Sequence, residues 1–585
     1  MTHNTQIPQQ KLYTIFFIFL GLNLLLLSRL LYLQIHLSEI FYKKSRKNFL
    51  RVEKIAPTRG NILDRQSRLI ATNQPIYNVY WQGTGNTKFT KQKYELLRSL
   101  EKVIHQNLTE DKKLLNKITY AERYNVKILL ASDITFEQLS KIEEKFSNQH
   151  TITIATTFKR LYPYQSCSSH ILGYLGRIPT FNTIATESQG KMGLEKMLEE
   201  TLRGKYGSTV TTINSMGKRL SEQIIENALP GKDIQITLDI ELQHIVENIF
   251  PQDATGTCIL MNPYNGSVLA LLSRPNFDPN IFLSPISKEE WENLQENHPF
   301  LNRAFSACYP PGSIFKLVTI AAALEKNIIT PKDTCNCKGF VRFGRRKYLC
   351  HKQDGHGVLN ASQALEQSCN IFFYDLAQKI DIDTLADYAH RFGLGKKTNV
   401  IFPEKSGIVP TKKWKLENKG ERWWKGETLS ASIGQSFLAV TPIQVASMIS
   451  SIFTGYLVKP RILMQEPVVK TDIDISPKTL EFLQQSMQKV VTQGTGKNLS
   501  KVKDFQIYGK TSTAQTSALY KRKLGSIYRE HRWFVAYLWY KDNPPLTFVI
   551  LIEHAQNASS AKRAIKKFLL AYKKLMDKKG VIPPS

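Results

Sequence analysis

Ser313 and Lys316 stand three residues apart at the head of an apolar, alanine-rich run, Leu317-Val318-Thr319-Ile320-Ala321-Ala322-Ala323-Leu324. A serine hydroxyl is a weak nucleophile until a base takes its proton. A lysine in a dry, helix-lined site has its pKa lowered far enough to be that base. Upstream, Tyr309-Pro310-Pro311-Gly312 forces a turn, so the run reads as a buried helix starting at or just before Ser313. The spacing then places both side chains on one helical face. A bare Ser-x-x-Lys match is more often a capping serine and a surface lysine. A second match, Ser215-Met216-Gly217-Lys218, has no apolar helix behind it and reads as a solvated loop.

Two further motifs follow in order. Ser368-Cys369-Asn370 separates two helical patterns, 361–367 and 371–380. Its hydroxyl can relay a proton, and its amide can hold a substrate carbonyl. Lys510-Thr511-Ser512-Thr513 lies on a strand pattern, 505–514. The lysine and hydroxyls suit a carboxylate, and a free backbone N–H on such a strand can face a reacting carbonyl. The expectation is that all three converge on one pocket around one activated hydroxyl.

The elements that must position them are spread over 585 residues, a length that implies two to four domains. Hydrophobic residues make up 42% and charged residues 22%, as in folded protein. The net charge of +30 admits nucleic acid, an anionic membrane surface or an acidic polymer as a neighbour. No finger spacing or glycine-aromatic motif supports nucleic acid, and the positive charge is spread along the chain. Residues 12–33 form an apolar run long enough to cross a bilayer, with 1–11 as a tail and no cleavage site after the run. Residues 34–229 read as a non-catalytic pedestal, because no nucleophile there has a base beside it. The turn cluster Leu229-Pro230-Gly231-Lys232-Asp233 marks the boundary of a catalytic domain over 230–585. That domain carries a strand at 234–238, a helix at 240–250, a hairpin over 258–272, an apolar helix near 440–452, strands at 505–514, 533–540 and 546–553, and a basic helix at 561–576. The expected class is α+β, a central antiparallel sheet with helices on both sides standing on a smaller mixed pedestal.

With these motifs the chain resembles the penicillin-binding serine acyltransferases, which pair Ser-x-x-Lys, a Ser-Asn motif and Lys-Thr-Gly. Within them it is similar to the class B, elongation-type D,D-transpeptidases. The likeness extends through Arg59-Gly60, Asp64-Arg65, Tyr162-Pro163, Gly193-Leu194-Glu195, Trp424-Lys425-Gly426-Glu427, Ile433-Gly434-Gln435 and Thr441-Pro442. No stretch resembles a glycosyltransferase, which argues against the bifunctional class A. The resemblance implies that Ser313 attacks the penultimate D-Ala carbonyl of a peptidoglycan stem peptide and that Lys316 takes its proton. Ser368 would relay protons to the leaving D-Ala, and Asn370 would hold the substrate backbone. Lys510 and Thr511 would bind the terminal carboxylate, and the N–H groups of Ser313 and Thr513 would form the oxyanion hole. β-Lactams would acylate the same serine. No cofactor is needed for this chemistry. The implied partners are a separate membrane-embedded glycan polymerase and the elongation machinery, docked on the pedestal. A wall substrate puts the large domain on the outer, periplasmic side of the inner membrane, against the anchor's charge bias: Lys11 precedes the run, whereas Lys43, Lys44, Arg46, Lys47 and Arg51 follow it. Ser512 stands where the family has glycine, and the expectation is a side chain that crowds the substrate and alters β-lactam binding. Two other readings keep the same pocket: a carboxypeptidase or β-lactamase that passes the acyl group to water, and a scaffold or β-lactam sensor that no longer turns over.

Three of the seven cysteines, Cys335, Cys337 and Cys350, fall between the first two motifs, and Cys369 lies within the second. Cys337, Cys350, His356 and Cys369 form C-x12-C-x5-H-x12-C, an adequate set for a structural tetrahedral Zn2+, with Cys335 as the substitute ligand. On an extended loop Cys369 points away from Ser368 and Asn370, so a metal behind the loop would hold both side chains in place. A Cys337–Cys350 disulfide and inert buried thiols are the alternatives.

Overall fold

A computed structural model describes residues 9–86, 88–124, 126–177, 188–213, 219–284, 286–515, 525, 529–557 and 559–580. The second Ser-x-x-Lys match, Ser215 to Lys218, lies outside the described residues. The N-terminal helix Gln9–Leu31 continues through a π turn, Tyr32–His36. Its apolar span, Gln10–His36, buries none of its surface against the rest of the chain. At 27 residues it reaches about 40 Å, enough for a tilted crossing of a hydrocarbon core about 30 Å thick.

The pedestal is built mainly on two sheets, beside a small pair of strands, Leu175–Arg177 and Ser188–Gly190. One is antiparallel, with Leu50–Ile55 and Arg219–Glu226 flanking Gly207–Ile213. The other is built on the long strand Leu69–Gln82, which pairs with Ile62–Leu63, Lys127–Ile134 and Ile152–Leu161. Helices Lys91–Ile104, Lys112–Tyr124 and Phe136–Phe146 lay Leu97, Leu100, Ile118 and Ile142 on Val79 and Trp81 of that strand. Residues far apart in sequence meet in one buried ion cluster. Arg59 Nε and Arg160 Nε reach the two oxygens of Glu195 at 2.6 and 2.7 Å, and Tyr162 OH donates to Glu195 Oε1 at 3.2 Å. Arg68 joins the pedestal to the catalytic domain by bonding both Asp64 and Asp239, the N-cap of helix Ile240–Ile249.

The catalytic domain is built on a five-stranded antiparallel sheet in the order Val268–Arg274, Gly256–Met261, Leu546–Ile552, His531–Tyr540, Phe505–Ala514. Strand alternation divides two cores. Trp533, Val535, Val549 and Leu551 face a helical layer that includes Lys316–Glu325 and Pro442–Thr454. Phe534, Ala536, Phe548 and Ile550 face Ile240–Ile249 and the C-terminal helix Ser560–Lys579. The α+β class with helices on both faces is therefore the observed one. The strand Phe505–Ala514 forms one edge of the sheet.

Candidate active site

The nucleophile's element is a turn of 3-10 helix, Gly312–Ile314, feeding directly into the α-helix Lys316–Glu325. Gly312 adopts φ +54°, and its N–H donates to Gly434 O at 2.9 Å. Gly434 is itself at φ +74°, and a Cβ there would lie 2.2 Å from Gly312 O. The Ile433-Gly434-Gln435 motif is thus glycine-bearing because two backbones touch. The turn leaves Ser313 half-buried and sinks Lys316 completely.

Lys316 Nζ donates to Ser368 O and Asn370 Oδ1, each at 2.8 Å, and lies 3.4 Å from Ser368 Oγ. Ser368, at φ +54°, is the bend between helices Ala361–Glu366 and Asn370–Lys379. Lys510, also fully buried, reaches across from the edge strand and donates to Ser368 Oγ at 3.0 Å. One hydroxyl is thereby shared by two lysines, and neither lysine has a carboxylate partner among the described residues. Burial pushes Lys316 down to about 8, against a weaker upward pull from Cys369 and Cys350. Burial, followed by repulsion from Lys316, holds Lys510 well below the ordinary lysine range. A neutral Lys316 can donate two N–H bonds to the carbonyl oxygens and still present a lone pair to a hydroxyl.

Of the expected residues, Lys316, Ser368, Asn370 and Lys510 form this bonded group, with Ser313 one turn from it. Ser313 Oγ makes no hydrogen bond among the described residues, because Lys316 is turned to Ser368. Thr511 and Thr513 alternate with Lys510 and Ser512 along the edge strand. Thr511 Oγ1 bonds Thr495 Oγ1 at 2.8 Å, and Thr513 Oγ1 accepts from Arg532. Ser512 is buried with its hydroxyl on Pro311 O at 2.7 Å, turned toward the nucleophile's turn. Thr495 and Arg532 were not foreseen. Arg532 sits opposite Thr513 in the register of the two strands, which no local motif encodes.

Behind Asn370, the ligand atoms of Cys337, Cys350, His356 and Cys369 lie within 4.8 Å of one another. All seven cysteines are free thiols, so no Cys337–Cys350 disulfide forms. Cys335 lies outside the group. His356 Nδ1 is 3.5 Å from Cys337 Sγ and 3.6 Å from Cys350 Sγ. Sulfur and nitrogen ligands of one tetrahedral zinc are separated by about 3.6 Å. A single ring nitrogen equidistant from two sulfurs is poorly explained by one N–H bond, so the donor set fits that ion. Hydrogen bonding to Cys369 pulls the Cys350 thiol well down. The group also touches the site, since Asn370 N–H donates to Cys350 Sγ at 3.4 Å.

A family model described as penicillin binding protein transpeptidase domain matches residues 256–575. The chain belongs to that family. The penicillin-binding protein dimerisation domain matches residues 54–236. Peptidoglycan D,D-transpeptidase MrdA of Haemophilus influenzae is 28% identical over 597 residues, covering 95% of this chain and 90% of the relative. The Escherichia coli K12 protein of the same name is 28% identical, covering 92% of this chain and 90% of the relative. Among solved structures, PBP2 in its complex with MreC from Helicobacter pylori superposes with a TM-score of 0.76 at 27% identity, covering 90% of this chain and 99% of that one. A chain from a structure titled "Structural coordination of polymerization and crosslinking by a peptidoglycan synthase complex" gives 0.72 at 27% identity, covering 99% and 100%.

Proposed function

We propose that this penicillin-binding protein is a membrane-anchored peptidoglycan D,D-transpeptidase of the elongation type, with Ser313 as the acylated nucleophile. The observation that carries the reading is the pair of fully buried lysines meeting on Ser368, one helical turn from Ser313. Its relatives' names and the likeness along almost the whole chain support the substrate.

The stem peptide's terminal carboxylate lies by the edge strand, where Lys510, Thr511 and Thr513 bind it. That anion gives Lys510 a counter-charge and draws the charge of the coupled lysine pair onto it, leaving Lys316 neutral. Ser313 Oγ attacks the penultimate D-Ala carbonyl carbon, and its proton passes to Lys316 Nζ. The carbonyl oxygen takes the electron pair and is held by the Ser313 and Thr513 N–H groups. Collapse breaks the C–N bond, and the leaving D-Ala nitrogen takes a proton from Lys316 through the Ser368 hydroxyl. Asn370 holds the substrate backbone. A neighbouring stem peptide's amine then attacks the ester, forms the cross-linking amide and returns a proton to Ser313 Oγ. A β-lactam follows the first step, but its ring-opened amine stays attached, so the acyl-enzyme persists.

Zinc bound by Cys337, Cys350, His356 and Cys369 would act structurally, fixing the Ser368–Asn370 bend from behind. Metal analysis of the purified protein is expected to find one equivalent, and less than half an equivalent would end this assignment. The large domain lies on the periplasmic side. A reporter fused after Ser585 that is active only in the cytoplasm would overturn that placement. The pedestal docks the membrane-embedded polymerase and the elongation machinery. The named complexes of its structural relatives support this, as do Val52, Leu220, Ile224 and Ile225, which stand exposed on the sheet next to the anchor.

Fluorescent penicillin tests the reading directly. Wild type is expected to hold a stable label, and Ser313→Ala none. An undiminished label on Ser313→Ala would remove the nucleophile assignment, and rapid loss of label from wild type would instead mark a hydrolase.

A further inference from the structure

Ser512 lies beneath the turn that carries Ser313. Its hydroxyl donates to Pro311 O at 2.7 Å, and the residue is only 5% exposed. Position 312 leaves no room for a side chain beside that hydroxyl: a Cβ there would stand 2.4 Å from Ser512 Oγ and 3.1 Å from Thr513 O. On the far side, Gly434 O accepts the Gly312 N–H at 2.9 Å. The nucleophile's turn is therefore gripped between the edge strand and Gly434.

We propose that Ser512 is a positioning residue, a hydroxyl clasp that sets the spacing between the Ser313 and Thr513 N–H groups. The inference rests on the reading of those two groups as the oxyanion donors. The clasp joins Pro311, two residues before Ser313, to Ser512, the residue before Thr513. Peptide planes are rigid, so tying these points leaves only a few torsions free between the donors. The loosest of them belongs to Gly312, which sits at φ +54° with no side chain and no room for one. A hydroxyl from the facing strand restrains that link without entering it. Glycine at 512 offers no such bond. Because oxyanion donors act on the transition state, the clasp governs the rate of acylation more than the affinity of the complex that precedes it.

The test compares Ser512→Ala, which keeps the Cβ, with Ser512→Gly, using stopped-flow acylation by a fluorescent penicillin and separating the acylation constant from the dissociation constant. Both variants are expected to acylate about tenfold more slowly than wild type, the scale of one lost hydrogen bond, with the dissociation constant unchanged. The carbonyl stretch of the acyl-enzyme ester is expected to move to higher wavenumber in both, because the donors hold its oxygen less closely, while the melting temperature stays within a few degrees of wild type. Should Ser512→Ala not fold, Ser512→Gly carries the test. Unchanged acylation constants in both variants would overturn the clasp. A Ser512→Gly protein faster than wild type would do the same and would show that the side chain obstructs the groove. Wild type that takes no label at Ser313 would bring down the functional reading itself, an outcome distinct from labelled wild type with unaffected variants.

Discussion

The pedestal's ion cluster and the catalytic cleft both bury cations, and they treat them in opposite ways. In the pedestal, Arg59 and Arg160 lie against Glu195, with Glu199 and Tyr162 completing the group. In the cleft, Lys316 and Lys510 are equally buried and meet only neutral oxygens. Breaking a paired buried charge leaves its partner stranded, so the first cluster holds structure. An unpaired buried amine sheds its proton and becomes a base, so the second performs chemistry.

Exchanging the roles is the strongest way to break this contrast. Lys316→Met is expected to cut the rate of Ser313 acylation on the order of 10³-fold, while the melting temperature holds or rises, because a buried amine with no carboxylate partner has been replaced by an apolar chain of similar length. A drop in melting temperature with little change in rate would make Lys316 structural. Glu195→Ala is expected to do the reverse, destabilising the fold by about 3–5 kcal/mol while the protein that remains folded acylates within about twofold of wild type. Chemical denaturation alongside penicillin labelling reads both quantities. The cysteine cluster should fall between the two: Cys369→Ser is expected to lower the acylation rate about tenfold, because Asn370 is held against the cluster by its N–H bond to Cys350 Sγ. An acylation rate unchanged by Cys369→Ser or by metal chelation would detach the cluster from the cleft.

How far each region could be read beforehand follows from how local its signals are. Ser313 and Lys316 share one turn, and Lys510 to Thr513 share one strand, so residue type and spacing carried them. The strands His531–Tyr540 and Leu546–Ile552 announced themselves as short continuous apolar runs. The four metal-type ligands were legible as donors even though their spacing is unlike common fingers. Glu195 was visible only as part of a motif, because Arg59 lies 136 residues away from it. Arg532 and Thr495 depend on strand register and on a loop packing beside Thr511, and neither leaves a mark on nearby sequence. The strand Lys127–Ile134 was hidden among helix-favouring residues, and tertiary pairing with Leu69–Gln82 overrides that preference. Ser512 was expected to crowd the groove. It does not present its hydroxyl there, because Pro311 O is within its reach.

If Lys316 works as a neutral amine, the Ser313 acylation rate must follow its loss of a proton as pH rises. Burial favours the uncharged form, so the lysine is protonated and inactive below its lowered pKa and becomes a base as pH rises through it. The rate is expected to climb about tenfold per pH unit at low pH and to level off around a midpoint near 8. A rate that keeps climbing past pH 10, or one that is flat between pH 6 and pH 10, would contradict it.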